Sequence, residues 1–196
     1  MIVTNGRGLA NPVHDAQRTY RALLAALAYP GRRYDVDCSV AGPPALGPAL
    51  AACALTLCDD ETAVWLDARA RDVAGAWLVS QTACRIARAP READFAVVCE
   101  PSRAPALGAW RQGTLEEPET STTLLVQIDA LRGEAPVLLR GPGIATEFAL
   151  AAAGLPDRFW DEWSTNVRSY PLGVDCFFFD AHGVAGLPRA VEARRG

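Results

Sequence analysis

The chain has 196 residues, half of them hydrophobic, and its 19 basic and 23 acidic residues give a net charge of −4. This length and composition suit one domain across residues 1–196, and the acidic balance argues against nucleic acid as a partner. The sequence lacks a run of about 18 apolar residues, and its N-terminus does not resemble a signal peptide. We therefore expect a cytoplasmic protein with no membrane span.

The cysteines and the basic residues limit the kinds of metal binding and catalysis that the chain can perform. None of the six cysteines forms a Cys-x-x-Cys pair, so we expect free thiols that pack as small hydrophobic side chains. A zinc site is not predicted, because the spacing is wrong and only His14 and His182 could assist. Every basic residue is arginine, which excludes chemistry that needs a lysine amine. The cysteines are Cys38, Cys53, Cys58, Cys84, Cys99 and Cys176.

The first predicted helix begins after Asn11. Asn11 can cap it, Pro12 suits its first position, and Pro30 and Gly31 end it. We interpret His14, in the first turn, as a surface or capping residue rather than a catalytic one. Apolar residues at helical spacing predict one stripe that faces the core. The stripe consists of Ala16, Tyr20, Leu23, Leu24 and Leu27.

The middle of the chain alternates strands with helices. Strands are predicted at residues 32–38, 62–66 and 94–99. Helices are predicted at residues 45–58 and 69–81, and a third begins at Ser102 and ends near Trp110. The acidic residues Asp59, Asp60 and Glu61 follow the first of these helices. Their adjacent side chains diverge, which favours a solvated turn over a metal site.

The last third of the chain predicts mostly strands. Residues 122–128 and 136–140 are expected to be neighbouring strands across a turn at Arg132 and Gly133. A short helix starts at Pro156, and residues 193–196 are expected to fray. Residues 174–179 and 184–187 are short, apolar and bounded by turn residues, which predicts a hairpin buried on both faces. The whole pattern predicts an α/β fold, a three-layer α/β/α sandwich around a mixed sheet.

No catalytic residue, cofactor site or metal site is predicted, because the sequence lacks the common nucleophile, P-loop and dinucleotide motifs. The best candidate for a ligand is an anion site at Arg140, Gly141 and Gly143. Glycines after a strand can expose backbone donors, and arginine is a fork-shaped partner for phosphate. The alternative is a tight turn whose arginine faces water.

Two further groups of residues suggest a role in structure or assembly. Asp175, at the start of the hairpin, is expected to satisfy loop N–H groups, and Arg189 is a candidate partner for it. Phe159, Trp160 and Trp163 cannot all lie on one narrow helix face. We therefore expect at least one of these three rings to be exposed, which makes them candidates for a protein interface.

Several segments, taken in order, resemble one known family over nearly the whole chain. They are residues 12–17 leading to 30–31, 55–62 leading to 65–66, 113–114 with 118–119, 141–144, and 170–175 with 187–189. In this order and spacing the chain is similar to the PhnH family, the H subunit of carbon–phosphorus lyase. It departs from the family at Ala190 and Val191, where two threonines are expected after Pro188 and Arg189.

The resemblance implies a cytoplasmic protein of phosphonate catabolism, a homodimer that joins a core complex with G, I and J subunits. With the G, I and L subunits, such a protein is needed to make alpha-D-ribose 1-methylphosphonate 5-triphosphate from ATP and methylphosphonate, with release of adenine. The family fold resembles pyridoxal-phosphate-dependent transferases without the cofactor site. The resemblance supplies no catalytic residue.

The sequence therefore leaves three hypotheses for the function of the chain. The leading hypothesis is a structural subunit of a multi-subunit transferase, with no catalytic centre of its own. A stand-alone transferase that uses pyridoxal phosphate is disfavoured, because the chain has no lysine. The third hypothesis is a phosphate- or nucleotide-binding module that uses Arg140 and the turn after it.

Overall fold

The computed structural model describes residues 8–37, 40–133 and 136–195, which form four α-helices and ten β-strands. The helices are α1 (Pro12–Ala28), α2 (Pro48–Leu57), α3 (Ala68–Thr82) and α4 (Asp157–Arg168). The strands are β1 (Tyr34–Asp35), β2 (Ala63–Leu66), β3 (Arg85–Ile86), β4 (Phe95–Val98), β5 (Thr123–Gln127), β6 (Val137–Arg140), β7 (Phe148–Leu150), β8 (Asp175–Phe179), β9 (Gly183–Leu187) and β10 (Glu192–Arg195).

Within the described residues, seven strands form one sheet in the order β1-β9-β8-β5-β4-β2-β3. Neighbours from β8 to β3 run parallel, whereas β9 is antiparallel to both β8 and β1. The other three strands form an antiparallel sheet in the order β10-β6-β7. The large sheet is therefore mixed but mostly parallel.

The large sheet is covered on both faces. Apolar residues of α1, α2 and α3 form one hydrophobic cluster with side chains from one face of the sheet. Apolar residues of α4 and of the three-stranded sheet form a second cluster with side chains from the other face. The mixed α/β class is confirmed, but the second outer layer is only partly helical, because the small sheet shares it with α4.

The β8–β9 hairpin confirms the prediction for residues 174–187. Successive side chains of a strand point to opposite faces. Phe177 and Phe179 accordingly lie in the cluster beneath the three helices, while Cys176 and Phe178 lie in the opposite cluster. Because both of its faces are buried, the hairpin depends on layers that the rest of the chain supplies.

Helix α1 has its predicted N-cap, Asn11, and its predicted start at Pro12. The predicted apolar stripe is partly confirmed, because Leu23 is buried and Leu27 packs against the core. It is wrong for Tyr20 and Leu24, which are each 49% exposed. Its buried residues are Asp15, Thr19, Leu23 and Ala26.

A close contact with the sheet sets the rotation of α1. The backbone of Ala26 lies directly on Gly186 of β9, where a Cβ atom would come within 2.6 Å of the Ala26 carbonyl oxygen. Rotating the helix to bury Tyr20 would disturb this contact. At the start of the helix, the Asp15 carboxylate accepts a hydrogen bond from the Asn11 N–H at 2.8 Å, which caps the first turn.

Other segments also differ from the sequence predictions. Strands β5 and β6 are not neighbours, because β5 lies between β4 and β8 while β6 joins the small sheet. Residues 102–110 form short 3-10 turns, since Pro101 and Pro105 remove backbone donors that a helix would need. The tail expected to fray pairs with β6 as β10.

Strand β1 is shorter than predicted, and Cys38 and Gly196 lie outside the described residues. The sequence predictions missed the short strands β3 and β7. None of the helices in the described residues is both long enough and apolar enough to cross a membrane.

The close approach of α1 to β9 can be tested with Gly186→Ala. The added Cβ would press on the Ala26 backbone, so we expect the free energy of unfolding to fall by about 1–3 kcal/mol, as for other overpacked sites. Gly108→Ala is the matched control, because no atom lies within 4 Å of a Cβ there. Urea unfolding followed by tryptophan fluorescence measures both, and equal stability of the two variants would contradict the packing described.

Candidate functional site

The ends of the central strands carry the polar side chains that are candidates for function. At the amino end of β8, the Asp175 carboxylate accepts hydrogen bonds from the backbone N–H of Arg189 at 2.7 Å and from its guanidinium Nε at 3.1 Å. The same guanidinium donates to the carbonyl oxygen of Pro118 at 2.8 Å and to the hydroxyl of Ser121. The pairing expected from the sequence is confirmed, and it joins the hairpin to the loop before β5.

A second aspartate–arginine pair lies at the same edge of the sheet. Asp94, just before β4, accepts a hydrogen bond from the Ala63 N–H of β2 at 2.7 Å and pairs with the guanidinium of Arg111. Arg111 also donates to the carbonyl oxygen of Thr120. Both arginines of this edge are thus engaged with protein oxygens, which leaves them a structural role.

The opposite edge, at the carboxyl ends of the parallel strands, is where α/β proteins commonly bind ligands. The strand order reverses between β2 and β4, because β3 lies on one side of β2 and β4 on the other. Such a reversal opens a crevice, and a helix N-terminus beside it favours anions. In this chain the crevice lies between the ends of β2 and β4, at the N-terminus of α3.

The side chain of Asp67 occupies that crevice. Its carboxylate accepts hydrogen bonds from the backbone N–H groups of Ala70 at 2.8 Å, Cys99 at 2.6 Å and Glu100 at 2.8 Å. Asp67 is 5% exposed. An internal carboxylate therefore fills the place where a bound phosphate would receive these donors.

The N-terminus of α2 is occupied in the same way. The Gly47 N–H donates to the side-chain oxygen of Gln127, at the end of β5, at 2.6 Å. The Ala49 N–H donates to the carbonyl oxygen of Ala181 at 3.4 Å. These bonds attach α2 to the carboxyl ends of β5 and β8 and use the donors that an anion would need.

Asp180, directly after β8, is a further charged group at this edge. Arg33 donates to it through Nε at 2.8 Å and also pairs with Asp35. Burial raises the pKa of Asp180, but hydrogen bonds from Arg33 and from the backbone N–H of His182 outweigh it, so the pKa lies below its ordinary value. Asp180 is therefore ionised at neutral pH and holds Arg33 in place.

A cleft of about 450 Å³ lies beside this pair. It is lined by Arg33, Asp129, Arg132, Asp180 and His182, together with short apolar residues. Its acidic and basic side chains balance, and Arg132 and His182 are exposed. The cleft is a polar opening at the carboxyl edge, and the sequence predictions assigned no site to its residues.

The predicted anion site lies elsewhere, between β6 and β7. The Nε of Arg140 donates to the Glu147 carboxylate at 2.6 Å. A Cβ on Gly141 would come within 3.0 Å of the Ala190 carbonyl oxygen, and one on Gly143 within 2.2 Å of the Ala28 carbonyl oxygen. Close backbone packing thus accounts for both glycines, and an anion would compete with Glu147 for Arg140.

The aromatic residues proposed for an interface lie inside the chain. Phe159, Trp160 and Trp163 are 8%, 9% and 0% exposed, so the expectation that one of them is exposed is wrong. The Phe159 ring stacks on Trp163 and meets Trp160 and Phe178 edge to face, which lets one helix bury all three aromatic side chains. The indole N–H of Trp163 donates to the carbonyl oxygen of Val191 at 2.9 Å.

The departure at residues 190–191 also has a structural role. Val191 is fully buried in the cluster that contains these rings. A threonine at that position would bring a hydroxyl into the same apolar surroundings. The apolar residue in this chain therefore suits the side chains around it.

Among the described residues, His14 lies at the surface and the cysteines lie inside the fold. His14 is exposed in the first turn of α1, where its backbone N–H donates to the side-chain oxygen of Asn11. The five cysteines among the described residues are free and buried, as expected, whereas Cys38 lies outside these residues. Burial, with a smaller contribution from Asp67, raises the pKa of Cys99 to about 12. Across the described part of the chain, no group of three or more His, Cys, Asp or Glu residues is placed to hold a metal ion.

The comparison with known proteins identifies the family. A family model described as "Bacterial phosphonate metabolism protein (PhnH)" matches residues 7–194. The chain belongs to the PhnH family. The family expected from the sequence is thereby confirmed.

Two relatives agree with the PhnH assignment. A protein of Rhizobium meliloti (strain 1021) is 37% identical over 187 residues, which are 95% of this chain and 94% of that protein. It is named alpha-D-ribose 1-methylphosphonate 5-triphosphate synthase subunit PhnH. A protein of Stutzerimonas stutzeri, named putative C-P lyase subunit protein HtxG, is 39% identical over 83 residues, which are 42% of each chain.

The occupied crevice of this PhnH-family chain can be tested with Asp67→Ala. The substitution leaves three buried N–H groups without an acceptor, so we expect the free energy of unfolding to fall by about 3 kcal/mol or more. Asp67→Asn should also lower the free energy of unfolding, because the NH₂ group of the asparagine would face a backbone N–H donor. Asp72→Asn, on the exposed side of α3, is the matched control, with an expected change within about 0.5 kcal/mol. Wild-type stability of Asp67→Ala would show that the carboxylate is not needed there.

Proposed function

We propose that this protein is the H subunit of the carbon–phosphorus lyase system. In this role it is needed, with the G, I and L subunits, to form alpha-D-ribose 1-methylphosphonate 5-triphosphate from ATP and methylphosphonate, with release of adenine. The observation that carries the proposal is the match to the Rhizobium meliloti synthase subunit over nearly the full length of both chains. The family model for a phosphonate metabolism protein supports it.

The contribution of the chain is proposed to be structural rather than catalytic. Asp67 occupies the crevice at the strand reversal, and the two arginines at the amino edge are held by protein oxygens. Groups of this kind stabilise the fold, and they are not free to bind a substrate. The catalytic groups are therefore expected on other subunits.

The assembly is proposed to contain the G, I and J subunits, and the chain itself is proposed to form a homodimer in the cytoplasm. The word "subunit" in the names of both relatives supports an assembly. Phe159, Trp160 and Trp163 are no longer proposed as its contact surface, because they are buried within the chain.

The alternative of a stand-alone pyridoxal-phosphate transferase is not supported. Catalysis with that cofactor uses a lysine Schiff base, and the sequence contains no lysine. The binding-module alternative would place an anion beside Arg140, whose Nε already donates to Glu147 at 2.6 Å. The subunit function fits both observations.

Reconstitution tests the proposed function. Purified G, I, J and L subunits are supplied with ATP and methylphosphonate, with and without this chain, and adenine release and the ³¹P NMR spectrum are measured. We expect product only when the chain is present, because its surface is needed for a competent assembly. The chain alone should form none. Product formation by the chain alone, or equal formation without it, would contradict the proposal.

A further inference from the structure

Helix α1 presents an apolar face to solvent. Val13 is 76% exposed, and Tyr20 and Leu24 are each 49% exposed. These positions are separated by about two turns and about one turn, so their side chains lie along one side of the helix. A stripe of large apolar side chains on one exposed helix face is typical of an interaction surface.

The orientation of the helix makes this exposure significant. The side that faces the sheet buries two polar residues, Asp15 and Thr19, while Tyr20 and Leu24 remain outside. The close approach of Ala26 to Gly186 holds the helix in this rotation. The described residues therefore leave the stripe uncovered, and it is available to a second molecule.

The charged residues beside the stripe indicate which charges the surface of that second molecule carries. Arg21 is exposed next to the stripe, whereas the exposed Arg18 pairs with Asp15 at 2.7 Å. Arg32, just after the helix, lies over the Tyr29 ring at 5.3 Å. The single acidic residue of α1, Asp15, is buried and already accepts bonds from Asn11 and Arg18. The exposed side of α1 is thus apolar with a basic edge, which is complementary to an apolar surface with an acidic edge.

A second copy of the chain fits this surface poorly. In a two-fold dimer the same patch meets itself. When two copies of α1 pack antiparallel along the stripe, the Arg21 side chains of both copies lie on the same side of the contact. Like charges placed together in this way oppose association.

We propose that the α1 face formed by Val13, Tyr20, Leu24 and Arg21 binds a different chain, whose contact surface has an apolar centre and carboxylates at its edge. This inference rests on the proposed function, and it assigns the partner to another subunit of the same synthase. Burial of the apolar stripe supplies affinity, and the arginines supply orientation and speed of association.

Charge substitutions on the stripe test the proposal. Leu24→Glu and Arg21→Glu are each added to a preformed complex of the G, I and J subunits, and binding is measured by native mass spectrometry and biolayer interferometry. Val73→Glu, on α3, is the matched control, because Val73 is also 49% exposed. Thermal unfolding of all three variants shows that each is folded.

We expect Leu24→Glu to weaken binding by at least about tenfold, as for loss of an interface anchor. Arg21→Glu should slow association and reduce its dependence on salt, since a steering charge acts mainly on the association rate. Val73→Glu should bind like the wild type.

The outcomes separate this inference from the proposed function. If the wild-type chain does not join the complex at all, the proposed function is overturned, and the inference with it. If the wild-type chain joins and Leu24→Glu joins equally well, only the inference about α1 is overturned. It is also overturned if Leu24→Glu converts a dimer of this chain into a monomer in analytical ultracentrifugation, because the stripe would then be covered by a second copy.

Discussion

Aspartate carboxylates at the ends of the central strands are the interactions on which the rest of the structure depends. The large sheet is covered on both faces, and backbone N–H groups near the ends of its strands find acceptors in these carboxylates. An unpaired buried donor costs about 1–3 kcal/mol. Four aspartates lie at the beginning or end of a central strand, and each accepts hydrogen bonds there. They are Asp67, Asp94, Asp175 and Asp180.

The same carboxylates determine what the fold can offer a ligand. In α/β proteins the carboxyl edge of the sheet and the nearby helix N-termini are the usual places for an anion. Here Asp67 occupies the N-terminus of α3 and Gln127 that of α2. The chain thus keeps the architecture of a binding fold while its own side chains fill the binding positions. That combination agrees with a protein that acts through its outer surface, such as the exposed side of α1.

Sequence reasoning predicted the buried hairpin, the main helices and the family, because these depend on local patterns and on motifs in order. Its errors on the exposed side of α1 and on the aromatic residues share one physical origin, which is packing between distant segments. The rotation of α1 depends on Gly186, and the burial of all three aromatic rings of α4 depends on the small sheet. Asp67 was missed, although an aspartate between a strand and a helix is a recognisable N-cap signal. Its bonds to Cys99 and Glu100, in a different segment, could not be read from the sequence.

We propose that this chain contributes structure and not catalysis. The cleft beside Asp180 is the best place to test this, because it contains exposed side chains that could act as an acid or a base. The most direct measurement is kcat of the reconstituted synthase carrying Arg132→Ala together with His182→Ala, with assembly checked by native mass spectrometry. A structural role predicts a rate within about twofold of the wild type, whereas loss of a general acid or base lowers rates by about a hundredfold or more. A fall of that size in a fully assembled complex would place part of the chemistry on this chain and contradict the account.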